Sequence, residues 1–231
     1  RGGMRSGAVA WLLDLYGFKV YVLDGGYKAY RHWVLAQFER SHPIALLGGY
    51  TGSGKTPMLH ELKRKGELVI DLEDIAKHKG SAFGGMDNEK APTQEMFDNL
   101  LATALHVAAT HHPGKTIWME DESQRIGHIN LSNVFWKAMR EAPIYFMDVP
   151  DESRLGHVVA EYGKYPQERM VNAIIRIKKR LGGLETKTAI NHLLENDVKE
   201  CFRILLAYYD KQYKKGRANR EQPATLHTIT C

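Results

Sequence analysis

Gly49-Tyr50-Thr51-Gly52-Ser53-Gly54-Lys55-Thr56 satisfies GxxxxGK[ST], a pattern whose chemistry is the gripping of a di- or triphosphate. Its glycines let successive backbone N–H groups turn toward phosphate oxygens, Lys55 adds a mobile positive charge, and the Thr56 hydroxyl suits Mg²⁺. Further along, Glu120-Asp121-Glu122-Ser123 closes an apolar run at the position where a phosphate-binding protein holds Mg²⁺ through an acid. On sequence grounds any one of Glu120, Asp121 or Glu122 can be that acid. Asp71 and Glu73 close the preceding apolar run and open onto the same crevice, with His78, Ser81 and Arg125 in the loops above it. Arg125 offers a guanidinium that either grips phosphate in bidentate fashion or pairs with a carboxylate. Cys201 and Cys231 are far apart, without CxxC or metal-ligand spacing, so they read as reduced thiols and no zinc site is expected.

These groups need a scaffold, and the hydrophobic pattern supplies one. Pro43-Ile44-Ala45-Leu46-Leu47 is a short apolar run suited to a buried parallel strand feeding the glycine loop, and Lys55 to Lys65 has helical composition. Leu68-Val69-Ile70-Asp71-Leu72, Thr116-Ile117-Trp118-Met119 and Ile144-Tyr145-Phe146-Met147-Asp148-Val149 read as further strands. Between them Met96, Phe97, Leu100, Leu101, Ala104, Leu105 and Ala108 recur at helical spacing, up to the His112-Pro113-Gly114 breaker. Strands alternating with helices predict an α/β fold with a mainly parallel sheet. Ahead of it, Ala8 to Leu15 reads as helix, Lys19-Val20-Tyr21-Val22-Leu23 as strand and Tyr27 to Phe38 as helix, with a boundary at Ser41-His42-Pro43. The expected organisation is residues 1–41, a phosphate-loop α/β domain over 42–150, and a helical extension over 151–231.

At 231 residues and 43% hydrophobic content the chain can fill a normal core, and it lacks both an apolar stretch of membrane-span length and the succession of a signal peptide. No membrane partner is expected, and a cytoplasmic location is the default. The net charge of +5 matters less than its distribution. Arg169, Arg176, Lys178, Lys179 and Arg180 lie in a stretch without acids, with Arg169, Arg176 and Arg180 expected on one helical face. Lys211, Lys214, Lys215, Arg217 and Arg220 form a second cluster beside Tyr208, Tyr209 and Tyr213. Cations interleaved with aromatic rings suit RNA; a solvated helix face is the alternative.

The chain opens on Arg1-Gly2-Gly3-Met4-Arg5-Ser6, a glycine-rich basic loop entering a helix. Together with Leu23-Asp24-Gly25-Gly26-Tyr27-Lys28-Ala29-Tyr30 it resembles the second half of a rhodanese domain, whose active loop reads Cys-x-Arg-Gly-Gly-x-Arg-Ser. A rhodanese tail joined to a phosphate-loop domain is similar to the bacterial tRNA 2-selenouridine synthases. That likeness extends through Leu72-Glu73-Asp74, His78 to Gly84, Glu120 to Gly127, Arg180-Leu181-Gly182-Gly183 and Tyr208-Tyr209-Asp210. It implies conversion of wobble 2-thiouridine in tRNA to 2-selenouridine through an S-geranyl intermediate, with geranyl diphosphate as alkyl donor and selenophosphate as selenium source.

The resemblance puts the selenium-carrying cysteine two positions before Arg1. Arg1, Gly2, Gly3, Arg5 and Ser6 then remain as the rest of its loop, and neither cysteine of the chain is a replacement by motif. From the residues themselves come Mg²⁺ at Thr56 with one of the three acids, and tRNA on Arg169, Arg176, Lys179, Arg180, Lys214, Lys215 and Arg217. Two other readings of the same residues are a phosphate-loop NTPase or small-molecule kinase and a non-catalytic tRNA-binding module.

Overall fold

The computed structural model describes residues 3–86, 90–218, 220 and 225–230. At its centre β1 (Ile44–Gly49) is buried along its whole length, flanked in parallel by β3 (Ile117–Glu120) and β6 (Ile144–Asp148). Both faces of this strand are covered, which is why it reads as a continuous apolar run rather than an alternating one. The short β2 (Leu68–Val69) lies outside β3, and β7 (Leu226–Thr230) outside β6, giving a five-stranded all-parallel sheet ordered β2-β3-β1-β6-β7. The α/β architecture expected from the sequence is present.

One face of the sheet carries the main core. Ile44, Leu46, Ile117, Met119, Ile144 and Phe146 pack there with Phe97, Leu101 and Leu105 of α5 (Gln94–His111), Phe135 and Met139 of α6 (Asn133–Glu141), and Val34 and Phe38 of α2 (Gly26–Phe38). The opposite face is smaller: Leu47 and Met147 meet Leu59 of α3 (Lys55–Arg64). Thus the turn at Ser41-His42-Pro43 separates β1 from a helix that nonetheless shares its core, with Arg31 of α2 paired to Asp98 of α5. By contrast, α1 (Met4–Leu15) buries none of its residues.

A second core lies among the helices after β6. Here α7 (Asp151–Tyr162), α8 (Gln167–Arg176), α10 (Gly183–Leu194) and α11 (Val198–Ala218) enclose Leu155, Val158, Met170, Ile174, Leu193, Phe202 and Leu205. Phe83 reaches into this core from the loop after α4 (Leu72–Ala76) and packs against Tyr162 and Phe202, with ring centroids 5.7 and 5.5 Å away. That loop therefore ties the sheet domain to the helical one.

Three expectations are corrected. Lys19–Leu23 is not a strand: Tyr21, Val22 and Leu23 are largely exposed, and among the described residues no strand lies beside them to take their backbone hydrogen bonds. The extension over 151–231 is not wholly helical, because β7 returns the chain to the sheet with Tyr145 and His227 stacked at 4.7 Å. Arg169, Arg176 and Arg180 do not share one continuous helix. It ends at Ile177, whose carbonyl oxygen accepts from Arg180 and Leu181 and starts α9 (Lys178–Leu181).

Phe202 is 2% exposed at the centre of the helical core, so Phe202→Ala is expected to cost about 3–5 kcal/mol. Urea unfolding measures this, and a loss under 1 kcal/mol would contradict the packing described.

Candidate phosphate site

The glycine loop leaves β1 at the carboxyl edge of the sheet and enters α3 at Lys55. Two of its glycines are obligatory for different reasons. Gly54 caps α3 in the left-handed region, φ 80°. Gly52, also at φ 80°, presses on α7 so closely that a Cβ would stand 2.6 Å from Val158 Cγ2 and 2.7 Å from the Arg154 carbonyl oxygen. No side chain caps α3, so the N–H groups of its first turn are open to an anion and the helix dipole favours one there. Lys55 Nζ donates to the carbonyl oxygens of Gly49 (2.9 Å) and Tyr50 (3.4 Å), which folds the ammonium over the loop. Ser53 Oγ is buried without a hydrogen-bond partner.

Of the candidate acids, the structure brings Glu73 and Glu122 to this loop. Glu73 Oε2 lies 3.4 Å from Thr56 Oγ1, and its carboxyl is hydrogen-bonded to that of Glu122, with the Lys55 charge acting on both. Burial first, then the neighbouring Glu122 charge, pushes Glu73 up to about 8; burial likewise raises Glu122. Two partly buried carboxyls in contact cannot both ionise cheaply, so they share a proton. Gly80 backs this pair, since a Cβ there would stand 2.8 Å from Glu122 Oε2.

The other acids are committed elsewhere. Glu120 is fully buried and accepts from Leu72 N–H at 3.1 Å; burial and then the Asp71 charge raise it to about 9. Asp71 caps α4 by accepting from Asp74 N–H at 2.7 Å. Asp121 pairs with Arg220 and accepts from Tyr213 Oη at 2.7 Å.

The remaining candidates are placed as follows. Arg125 bends back to the Gly127 carbonyl oxygen (3.0 Å) from the hairpin of β4 (Arg125–Ile126) and β5 (Ile129–Asn130). His78 is wedged between Gly84 and Gly127: a Cβ at either would lie within 2.8 Å of its ring. Burial, followed by the charges of His128 and Arg176, lowers its pKa and favours the neutral ring. Ser81 is hydrogen-bonded with Tyr162 and Tyr209, and Tyr209 Oη accepts from Ala82 N–H at 3.2 Å. Gly3, Arg5 and Ser6 border a separate cleft with Val9, Tyr21 and Tyr27, while Arg1, Gly2 and Cys231 lie outside the described residues. Arg169, Arg176, Lys179 and Arg180 are exposed, with Arg169 donating to the Met86 carbonyl oxygen at 3.1 Å. Lys214 and Arg217 stand over the Tyr50 and Phe146 rings, and Lys215 is exposed. Cys201 is buried, its thiol pushed up to about 12 by desolvation and then Asp197, which leaves it a poor nucleophile.

Arg154 was not singled out from sequence. Its side chain is only 2% exposed, and its guanidinium donates to the Thr51 carbonyl oxygen (3.0 Å), to both Asp210 oxygens (2.7 and 3.0 Å) and to Asp151 (2.6 Å). The signal was there: Arg154, Val158 and Tyr162 recur at i, i+4 and i+8, and a cation on an apolar helix face requires a buried anion.

Thr56, Glu73 and Glu122 form an all-oxygen set suited to a hard cation, and the shared proton occupies charge that a cation would neutralise. Among the described residues no cluster of three or more His, Cys, Asp or Glu forms a metal cage. Two carboxylates and a hydroxyl match Mg²⁺, which takes few protein ligands and completes its shell with water and phosphate.

A family model described as the tRNA 2-selenouridine synthase AAA domain matches residues 42–228. The chain is 34% identical to the tRNA 2-selenouridine synthase of Sulfurovum sp. (strain NBC37-1), over 92% of this chain and 64% of that protein. It is 37% identical to the one of Shewanella piezotolerans (strain WP3 / JCM 13877), over 79% and 54%, and 34% identical to the one of Hydrogenovibrio crunogenus (strain DSM 25203 / XCL-2), over 92% and 66%. The chain thus spans about half to two thirds of the length of these relatives. Among the described residues no helix is long and apolar enough to cross a membrane.

Because the folded form of Glu73 holds its proton more tightly than the unfolded chain, its contribution to stability is full below about pH 4.5 and is lost as pH rises through about 8. In metal-free buffer, urea unfolding at pH 5 and pH 8.5 is expected to show the wild type losing on the order of 2 kcal/mol more than Glu73→Gln. Equal losses would contradict the carboxyl pair.

Proposed function

The chain belongs to the tRNA 2-selenouridine synthase family, and from that premise we propose that it converts wobble 2-thiouridine in tRNA toward 2-selenouridine, with its phosphate loop performing the geranyl-transfer step. The observation that carries this reading is the loop itself, where an uncapped helix N-terminus and Lys55 face a Thr56–Glu73–Glu122 group. In geranyl diphosphate the bond that breaks joins an allylic carbon to a diphosphate oxygen, and negative charge grows on the leaving diphosphate. Open N–H groups of α3 and the Lys55 ammonium stabilise that charge, Lys55 exchanging its bonds to Gly49 and Tyr50 for phosphate oxygens. Mg²⁺ held by Thr56, Glu73 and Glu122 would supply further charge neutralisation on the leaving group. The uridine sulfur attacks the allylic carbon as diphosphate departs.

Replacement of the geranylated sulfur by selenium delivered from selenophosphate, the C2–S bond breaking as geranyl thiol leaves, is the second step, and it calls for a reactive thiol. Cys201 is unsuited to it, being buried with a raised pKa. This reading assigns that step to the cysteine of a rhodanese loop. The tRNA is held by the exposed cations of α8 and α9, Arg176 being close enough to His78 to affect its charge, together with those of α11.

Incubating the protein with thiolated tRNA, geranyl diphosphate and Mg²⁺ is expected to yield a geranylated nucleoside by mass spectrometry, and Lys55→Ala to lower the rate about 100-fold or more. ATP turnover with no alkylation would favour phosphoryl transfer instead, and near-normal alkylation by Lys55→Ala would remove the loop from the mechanism. Replacing Arg176 and Arg180 together by alanine is expected to weaken tRNA binding and reduce its log–log salt slope by about two; an unchanged slope would make these cations a solvated face.

A further inference from the structure

Helix α11 meets the phosphate loop at successive positions along one face. Tyr213 Oη accepts from Gly49 N–H at 3.3 Å while donating to Asp121 at 2.7 Å. One turn earlier, Asp210 binds both terminal nitrogens of Arg154, and Arg154 donates to the Thr51 carbonyl oxygen. Between these anchors the Tyr50 ring lies edge-on to Tyr213, centroids 5.5 Å apart, with the Arg154 guanidinium 5.0 Å and the Lys214 ammonium 5.7 Å from its centre. Gly49, Tyr50 and Thr51 are therefore each held by α11 directly or through one residue. The same helix also exposes Lys211 and Lys215, and Lys214 reaches from that side over the Tyr50 ring.

The two sides bear on one set of peptides. Lys55 donates to the Gly49 and Tyr50 carbonyl oxygens, and to reach a diphosphate it must release them. Those are the residues that Tyr213 and Arg154 fix, so any shift of α11 changes the ease of that release, and the release in turn bears on α11.

We propose that Tyr213 is a positioning residue through which RNA bound on the basic side of α11 tightens diphosphate binding in the loop, and diphosphate tightens RNA binding by the same factor. This rests on the reading of the loop and the basic helices given above. Linkage requires the two factors to be equal, and coupling of this kind spans about 5- to 150-fold.

The test is calorimetric titration with inorganic pyrophosphate and Mg²⁺, with and without saturating tRNA transcript, and the reverse titration with tRNA. The wild type is expected to bind pyrophosphate about tenfold more tightly when tRNA is present, with the same factor in reverse. Tyr213→Phe keeps the ring against Tyr50 and removes the hydroxyl; it should still bind each ligand alone while the coupling factor falls below about twofold. Asp210→Asn, which weakens the Arg154 arm and leaves Tyr213 intact, is expected to lower the factor as well, and serves if Tyr213→Phe loses its fold by circular dichroism. Arg203→Gln breaks the α11 pairs to Glu152 and Glu200, away from the loop, and should keep the full factor. Coupling that is absent from the wild type, retained in Tyr213→Phe and Asp210→Asn, or lost equally in Arg203→Gln overturns the proposal while the diphosphate and RNA sites stand. A wild type that binds neither pyrophosphate nor tRNA overturns the functional reading, and this inference with it.

Discussion

The buried guanidinium of Arg154 is the constraint on which the site depends. A cation at 2% exposure is tolerable only with its charge and donors answered, and here the answers come from three directions: Asp151 on its own helix, Asp210 on α11 and the Thr51 carbonyl oxygen of the phosphate loop. The dependence of this group on its buried partner, about 3–5 kcal/mol if that partner is lost outright, is strong. It also makes the two cores interdependent. The sheet core could be satisfied by β1 and its neighbours alone, but the loop leaving β1 holds its shape only where α7 and α11 are docked.

The same logic of limited charge governs the acids. Five carboxylates lie near the carboxyl edge of the sheet, Asp71, Glu73, Glu120, Asp121 and Glu122, and the structure spends them unequally. Asp71 and Glu120 satisfy backbone N–H groups of α4, and Asp121 neutralises Arg220. Glu73 and Glu122 are left facing Lys55 and Thr56 with a proton between them. Burial raises the affinity of that pair for a positive charge, whether proton or metal, and sets it beside the place where a diphosphate would bring negative charge.

Much of this was legible in the sequence because the residues involved report their surroundings locally. A glycine loop between an apolar run and a helical pattern, the α5 periodicity and the parallel sheet all follow from spacing alone. What the sequence withheld depends on partners distant along the chain. Glu120, Asp121 and Glu122 are chemically interchangeable in a linear reading, and only the side of the strand end on which each emerges separates a cap, an ion pair and a site residue. Lys19–Leu23 has strand composition without a described neighbour to pair with, whereas Leu226–Thr230, rich in β-branched residues, does have one in β6. Arg154 and Asp210 are 56 residues apart, and neither announces the other.

The position of β7 carries one more consequence. This strand pairs with β6 in parallel although nearly eighty residues lie between the two, and Arg220 just ahead of it neutralises Asp121 beside the loop. On the ribosome the phosphate loop is made before Asp210, Arg220 and β7, the groups that complete its surroundings. Until they follow, the nascent protein carries β6 as an open sheet edge and an Arg154 answered only by the loop and its own helix, and the loop takes its final shape only when α11 and β7 have docked.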